Sequence, residues 1–380
     1  MKMVFTFPFC SPEVNSISGG PIYIGSQGHD VLVVTARRAE SLKGSVSAPA
    51  SETIQGTEFF RPYSHAKDLT WRPQVCWLDV QKKVIEHTPH VVIGFGDPFY
   101  RLPLMISRYF NIPLVMFFEY LRPEKISLPI RGSGKIKRVF PTFYRRCSRL
   151  FRRYLFKQCS AIMFSYYGDR PLIPTLKAIC KAVHYVPWCT EMRDVGHTVK
   201  RKRNVGIYIG SLTTFKNAAE LVENIPLILE HTETEQFIVV GPGEFAPQIR
   251  QLSEKYKPKI KYIESLSRTE AMRLLRSTGY GYTPVTDSGL GFIGDCWGTE
   301  TPLIASHRLD GFLRKDVDTL IADSAHELPH VINSLLVSDE LFERMQRGGK
   351  KRYESDHTAQ AVGGKYLQIL QKAIQSDFET

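Results

Sequence analysis

No apolar run in this 380-residue chain reaches the roughly 18–20 residues a helix needs to cross a bilayer. No small-residue cleavage site follows the short apolar run of "MKMVFTFPFCSPE", so that segment reads as a first strand and not as a signal peptide. The seven cysteines are odd in number and scattered, with no C-x-x-C. That argues against a disulfide framework or a zinc site and favours a reducing compartment, the cytoplasm. The eleven histidines form no metal set; "HTPH" at 87–90 has H-x-x-H spacing, but its proline precludes a helical pair. Low-complexity tracts are missing, and so are internal repeats of roughly 20–50 residues. Between Arg131 and Lys157 there is no acid at all, while ten of the 50 Lys and Arg gather there. The net charge of +12 is therefore mostly a local feature.

The 43% apolar and 23% charged residues are those of a folded globular protein, and the length suits two domains. Strand-like and helix-like runs alternate throughout, which predicts an α/β protein with parallel sheets. In the first half the strands are "KMVFTFPF", "DVLVVTA", "TEFFRPY", "HVVIGFG", "IPLVMFFEY", "AIMFSYY" and "AVHYVP". A polar, basic stretch at 194–204 reads as a linker, and the pattern then restarts with "VGIYIGS" and "NAAELVENIPLILEH". Residues 1–193 and 205–355 are thus read as two doubly wound, Rossmann-like domains facing each other across a cleft. The tail is helical in spacing but interrupted by two Gly-Gly pairs, and 356–380 is expected to pack back on the first domain.

Ligands of open α/β sheets bind beyond the carboxyl ends of strands. Three loops of the second domain fit. "GSLTTFKN" (Gly210 to Asn217, with Ser211) follows a strand, and Lys216 opens the next helix, where a cation and free amides could share a phosphate. The alternative is a capped helix start with a solvated lysine. "VVGPGEF" offers a G-x-G at Gly241, weak by itself because many such turns need glycine for φ > 0. "DSGLGFIGD" sets Asp287 before a helix start and Asp295 within it, with the amides of Phe292, Ile293 and Gly294 free to receive a pyrophosphate. Singly, Asp287 reads as a helix cap and Asp295 as a surface charge.

Together these stretches resemble the family-4 glycosyltransferases of the GT-B fold, whose second domain carries G-R-L-x-x-x-K-G, V-G-x-G, and E-x7-E leading to G-T-P. Here the same order runs "GSLTTFKN", "VGPGE" and "DSGLGFIGD" leading to "TETP". A weaker echo lies in "SGG", "GHDVLVVTAR" and "IPLVMFFEY". The resemblance implies a retaining transfer of sugar from a nucleotide-diphosphate sugar to a sugar or lipid-linked acceptor, with no metal or other cofactor. Lys216 would clamp the diphosphate, the amides of Phe292, Ile293 and Gly294 would cradle it, Asp287 would hold the sugar, and Asp295 the ribose. Gly19 and Gly20 would close on the phosphates from the first domain.

Departures from the pattern are Ser211 for arginine, Asp for Glu at both acids, and Glu300 for the glycine before T-P. The first helix must also be short, because only seven residues separate Gly20 from Gly28. Glu119 stands where many relatives place histidine. It either contacts the sugar or accepts the acceptor's proton, or is a strand-end surface acid. Asp97 in "GFGDP" is a second candidate, or a turn residue before proline. These departures keep open a catalytically inactive GT-B scaffold.

In "TFYRRCSRLFRRYLFK", at 100° per residue, Arg145, Arg146, Arg149, Arg152 and Arg153 fall in one stripe about 120° wide. Phe143, Cys147, Leu150, Phe151, Tyr154 and Leu155 fill the other side. Like charges at these spacings repel, so an anionic partner is expected. An anionic membrane surface is favoured over nucleic acid, which implies a peripheral position on the cytoplasmic face. The alternative is a solvated helix face over a core.

Overall fold

Alternate residues of the central strands are buried on opposite faces of their sheet, and that alternation sets the architecture. The structure, a computed structural model, describes residues 1–10, 19–41, 44–96, 99–119, 121, 141–180, 182–190, 199–284, 290–306 and 311–378. In chain order it runs β1 (Lys2–Thr6), α1 (Gly19–Ser26), β2 (Asp30–Ser41), β3 (Gly44–Ser47), β4 (Ser51–Ile54) and β5 (Thr57–His65). Next come α2 (Ala66–Trp71), α3 (Trp77–His87), β6 (Val91–Phe95), α4 (Arg101–Phe110), β7 (Leu114–Phe118), α5 (Pro141–Lys157), β8 (Ala161–Phe164), α6 (Ile173–Lys177) and β9 (Val183–Tyr185). The second series is β10 (Lys202–Ile209), α7 (Ala218–His231), β11 (Gln236–Val240), α8 (Ala246–Lys255), β12 (Ile260–Ile263), α9 (Arg268–Ser277) and β13 (Thr278–Thr283). It ends with α10 (Leu290–Gly298), β14 (Leu303–Ala305), β15 (Leu320–Ile321), α11 (Leu328–Val337), α12 (Asp339–Asp356) and α13 (Ala359–Phe378).

Two compact units result. The first holds Met1–Ser41, Ser45–Cys189 and the chain from Ala359 onward; the second is built on Thr190–Thr358. In the first unit the strand order is β4-β5-β2-β1-β6-β7-β8-β9, with β3 on β2. From β5 through β9 the neighbours are parallel, whereas β4 runs antiparallel to β5. Val4, Leu32 and Val34 point to one face, where α3, α4 and α5 supply Val80, Val84, Ile106, Leu155 and Phe156. Met3, Phe5, Val31 and Val33 point to the other, where α1 and α13 supply Ile24, Tyr366, Ile369 and Leu370. The second unit has the order β12-β11-β10-β13-β14-β15, every pair parallel. The expected doubly wound α/β architecture is present in both units.

Two sequence expectations need correction. The basic stretch read as a linker through 204 is already strand from Lys202. Its arginines are not solvated: Arg201 donates to the carbonyls of Thr278 and Thr299, and Arg203 to that of Leu335. Burial pushes the Arg201 guanidinium down to about 10. Nor do the Gly-Gly pairs interrupt the tail, because α12 and α13 run straight through them. These glycines serve packing. A Cβ at Gly348 would stand 1.7 Å from the Val317 carbonyl oxygen, one at Gly349 2.7 Å from the Trp297 ring, and one at Gly363 2.4 Å from the Tyr23 ring. Gly364 alone of the four faces open space.

This difference is measurable. Gly364→Ala should stabilise by up to about 1 kcal/mol through helix propensity, whereas Gly348→Ala should destabilise by about 1–3 kcal/mol through overpacking. Equal shifts in thermal melting for the two variants would contradict the packing role.

Candidate functional site

The strand order of the second unit reverses between β10 and β13, and the crevice beyond their carboxyl ends is where such a sheet accepts ligands. Three segments meet there. The first two are joined by backbone. The amide of Gly210 donates to Val240 O (2.9 Å), that of Leu212 to Pro242 O (2.8 Å), and that of Phe245 back to Leu212 O (3.1 Å). Such a seam admits no side chain. A Cβ at Gly241 (φ +141°) would lie 1.8 Å from Gly210 O, and one at Gly243 (φ +151°) 2.2 Å from Leu212 O. The G-x-G is therefore required for loop-to-loop approach and for its backbone angles. Glu244 completes the junction by accepting from both the amide and the hydroxyl of Thr214, which lowers its pKa.

Lys216 ends the short 3-10 turn Thr214–Lys216, half-buried, with its ammonium 5.4 Å from the Phe215 ring centroid. The next residue, Asn217, is left-handed (φ 52°) and leads into α7. Its side-chain amide donates to Pro284 O (3.0 Å), at the exit of β13, and to Glu220. Glu220 also accepts from Asn224 and Ser306, and Asn224 donates to Tyr282 (2.6 Å). This network ties the Lys216 turn to the exit of β13 and to Ser306 after β14. Asn217 and Glu300 occupy two of the positions at which the glycosyltransferase motif has glycine, and both are left-handed (Glu300 φ 58°). The backbone demand behind those glycines is thus retained, with Asn tolerated at one and Lys350 gripping the Glu300 carboxylate (2.9 Å) at the other.

The third segment is α10. It begins at Leu290, so its first-turn amides are those of Leu290, Gly291 and Phe292. Those of Ile293 and Gly294 fall to intrahelical bonds, so the free first-turn amides begin two residues upstream of the expected Phe292. Gly291 is exposed, and a Cβ there would meet open space. Phe292 and Ile293 are buried, the former 5.5 Å from the Tyr208 ring. Gly294 makes room for Thr190, whose hydroxyl oxygen would lie 2.4 Å from a Cβ there.

Asp295 is a clear correction. It is 5% exposed, and both its carboxylate oxygens take hydrogen bonds from Arg268 at the start of α9. Burial raises its pKa, opposed by the Arg268 guanidinium. It is a structural ion pair and is not presented for a ribose. Sequence reasoning missed Arg268, 27 residues away, because only its local signal, the Ser267–Glu270 capping box, was visible. Asp287 lies outside the described residues, as does Asp97.

In the first unit, Glu119 follows β7 with its side chain exposed and its carbonyl accepting from the Tyr166 amide (3.0 Å). Gly19 and Gly20 open the eight-residue α1, both buried. A Cβ at Gly19 would meet Cys189 Sγ at 2.9 Å, and one at Gly20 the Tyr366 ring at 3.0 Å.

α5 carries the basic stripe, with two changes. Arg152 is half-buried, donating to Leu121 O and lying 5.7 Å from the Phe156 ring centroid, so its guanidinium is engaged within the unit. Arg146, Arg149 and Arg153 are exposed; the side chain of Arg145 lies outside the described residues. Of its apolar residues Leu155 and Phe156 are fully buried, while Phe143 (61%), Leu150 (64%) and Tyr154 (45%) face solvent. The exposed arc of about 140° thus joins a basic half to an apolar half.

Solved structures show what this architecture resembles. Sucrose-phosphate synthase from Thermosynechococcus elongatus is 12% identical, with a TM-score of 0.70 over 99% of this chain and 100% of its own. HepE from Anabaena, in complex with UDP-glucose, is 10% identical, with a TM-score of 0.64 over 98% and 99%. WaaG, a glycosyltransferase involved in lipopolysaccharide biosynthesis, is 14% identical, with a TM-score of 0.60 over 97% and 99%. No family model and no curated protein matches the sequence. The likeness is one of fold, and that fold is GT-B.

The Asp295 correction can be tested without ligand. Arg268→Ala should destabilise the chain by about 2 kcal/mol or more, less than the loss of a fully enclosed pair because Arg268 keeps a solvent edge. Asp295→Asn in the same background should recover most of the loss in thermal melting. An unchanged melting point in Arg268→Ala would restore Asp295 as a ligand group.

Proposed function

We propose that this chain is a retaining glycosyltransferase that takes a nucleoside-diphosphate sugar as donor. The observation that carries the reading is the Asn217–Pro284 hydrogen bond, which ties the Lys216 turn to the exit of β13, the strand that precedes α10 in the chain, at the switch point. A diphosphate seated there would receive the Lys216 ammonium and the amides of Leu290, Gly291 and Phe292. Those groups would stabilise the charge that develops as the sugar departs, and the reading calls for no metal. Asp287 would engage the transferred sugar, and Glu119 the sugar or the acceptor's proton. HepE with its UDP-glucose supports the donor class.

Calorimetry with UDP, GDP and ADP tests this reading. One of the three should bind, Lys216→Ala should weaken it at least about tenfold, and transfer should fall by about 10²–10³. Binding by none of them, or equal binding by Lys216→Ala, would reject the site. The engagement of Asp295 by Arg268 favours a second reading, a GT-B scaffold that binds without turnover. Nucleotide binding with no release of sugar from any nucleotide sugar would select it.

We further propose that the exposed arc of α5 lies on an anionic membrane surface at the cytoplasmic face, its apolar half in the interface and its arginines on phosphates. No helix among the described residues is long and apolar enough to cross a membrane. WaaG, from lipopolysaccharide biosynthesis, is consistent with a lipid-linked acceptor. At about 1 kcal/mol per basic residue near such a surface, replacing Arg146, Arg149 and Arg153 by Gln should reduce anionic-vesicle binding about a hundredfold. Unaltered sedimentation with vesicles would leave α5 a solvated face.

A further inference from the structure

A cavity of about 510 Å³ lies in the first unit at the amino ends of β8 and β9, the opposite end of the sheet from Glu119. Lys157, Lys177, Lys372 and His184 line it, with Ser160 and Ser376 and a floor of Cys159, Cys180 and Val183. No Asp or Glu lines it, and among the described residues none of the three ammoniums has an ion-pair partner. Lys372 and Lys177 both bear on the half-buried His184, whose pKa burial and these two charges lower. The positive groups of α6 and α13 therefore converge on one imidazole.

Lys157 and Lys177 are the last residues of α5 and α6, where a cation also complements the helix dipole. That explanation does not reach Lys372, which sits well inside α13. Like charges gathered around one concavity repel unless an anion joins them. The volume is that of a small-molecule site, and lysines with hydroxyls and a neutral imidazole N–H are donors suited to phosphate oxygens.

We propose that this cavity binds the phosphate group of a small anionic molecule or of a lipid headgroup. The phosphate sits among Lys177, Lys372 and His184, and Lys157 closes the rim where α5 ends. The inference rests on the cavity and its charges, and stands whether or not α5 docks on a membrane.

The test compares the full chain with a Lys177→Gln/Lys372→Gln variant, both positions being exposed and replaceable without loss of fold. Calorimetry with glycerol 3-phosphate at constant ionic strength forms one arm. Sedimentation with phosphatidylcholine vesicles containing phosphatidic acid forms the other. The native chain should bind in at least one arm, and the variant at least about tenfold more weakly there. Binding in the first arm marks a soluble ligand; binding in the second alone marks a lipid. A Lys177→Arg/Lys372→Arg variant should retain binding, and loss of the α5 arginines should leave the first arm untouched. Failure of the native chain in both arms, or equal binding by the Gln variant, would show that the lysines only complement helix ends and would overturn the proposal.

Discussion

One hydrogen bond, from the side-chain amide of Asn217 to the carbonyl of Pro284, joins the Lys216 turn to the exit of β13, and the proposed donor site depends on that junction. Strand pairing brings β10 and β13 side by side but does not position the loops beyond their carboxyl ends. Asn217 does so for its own turn because a left-handed residue leads the chain into α7 while its side chain reaches across to Pro284 at the exit of β13. On the other flank, the glycine seam of Gly241 and Gly243 against Gly210 and Leu212 fixes the same turn by backbone contact alone. The Lys216 ammonium thus emerges from a turn held on both sides, an arrangement that lowers the conformational cost of gripping a ligand.

The first unit works by burying both faces of its sheet. Helices α3, α4 and α5 cover one face, and α1 with the returning α13 covers the other. Covering a face with α5 required only Leu155, Phe156 and part of Phe151. The remainder of that helix was left to carry Phe143, Leu150 and Tyr154 beside arginines in the open. The apolar side chains of an amphipathic helix need not all be core, and here their exposure is what the proposed membrane contact rests on.

The strands were legible because a sheet buried on both faces writes near-continuous apolar runs, as in "VGIYIGS" and "EQFIVVGPG". The lysine turn and the G-x-G were legible as ordered motifs, and the start of α10 to within two residues; Asn217 and Glu300, at two of the motif's glycine positions, keep the left-handed angle that glycine favours. What the sequence hid was pairing at a distance. Nothing local tells that Asp295 is matched by Arg268, that Arg152 donates to Leu121, or that Gly348 faces the Val317 carbonyl. Glycine in particular reads as a break along the chain, yet inside a packed helix it marks close contact.

The central claim is that one anion shares the Lys216 ammonium with the first-turn amides of α10. A crystal structure of the chain with a bound nucleoside diphosphate tests it most directly. The account predicts the terminal phosphate within hydrogen-bonding distance of Lys216 Nζ and of at least two amides among Leu290, Gly291 and Phe292. A phosphate bound out of reach of either group would contradict it.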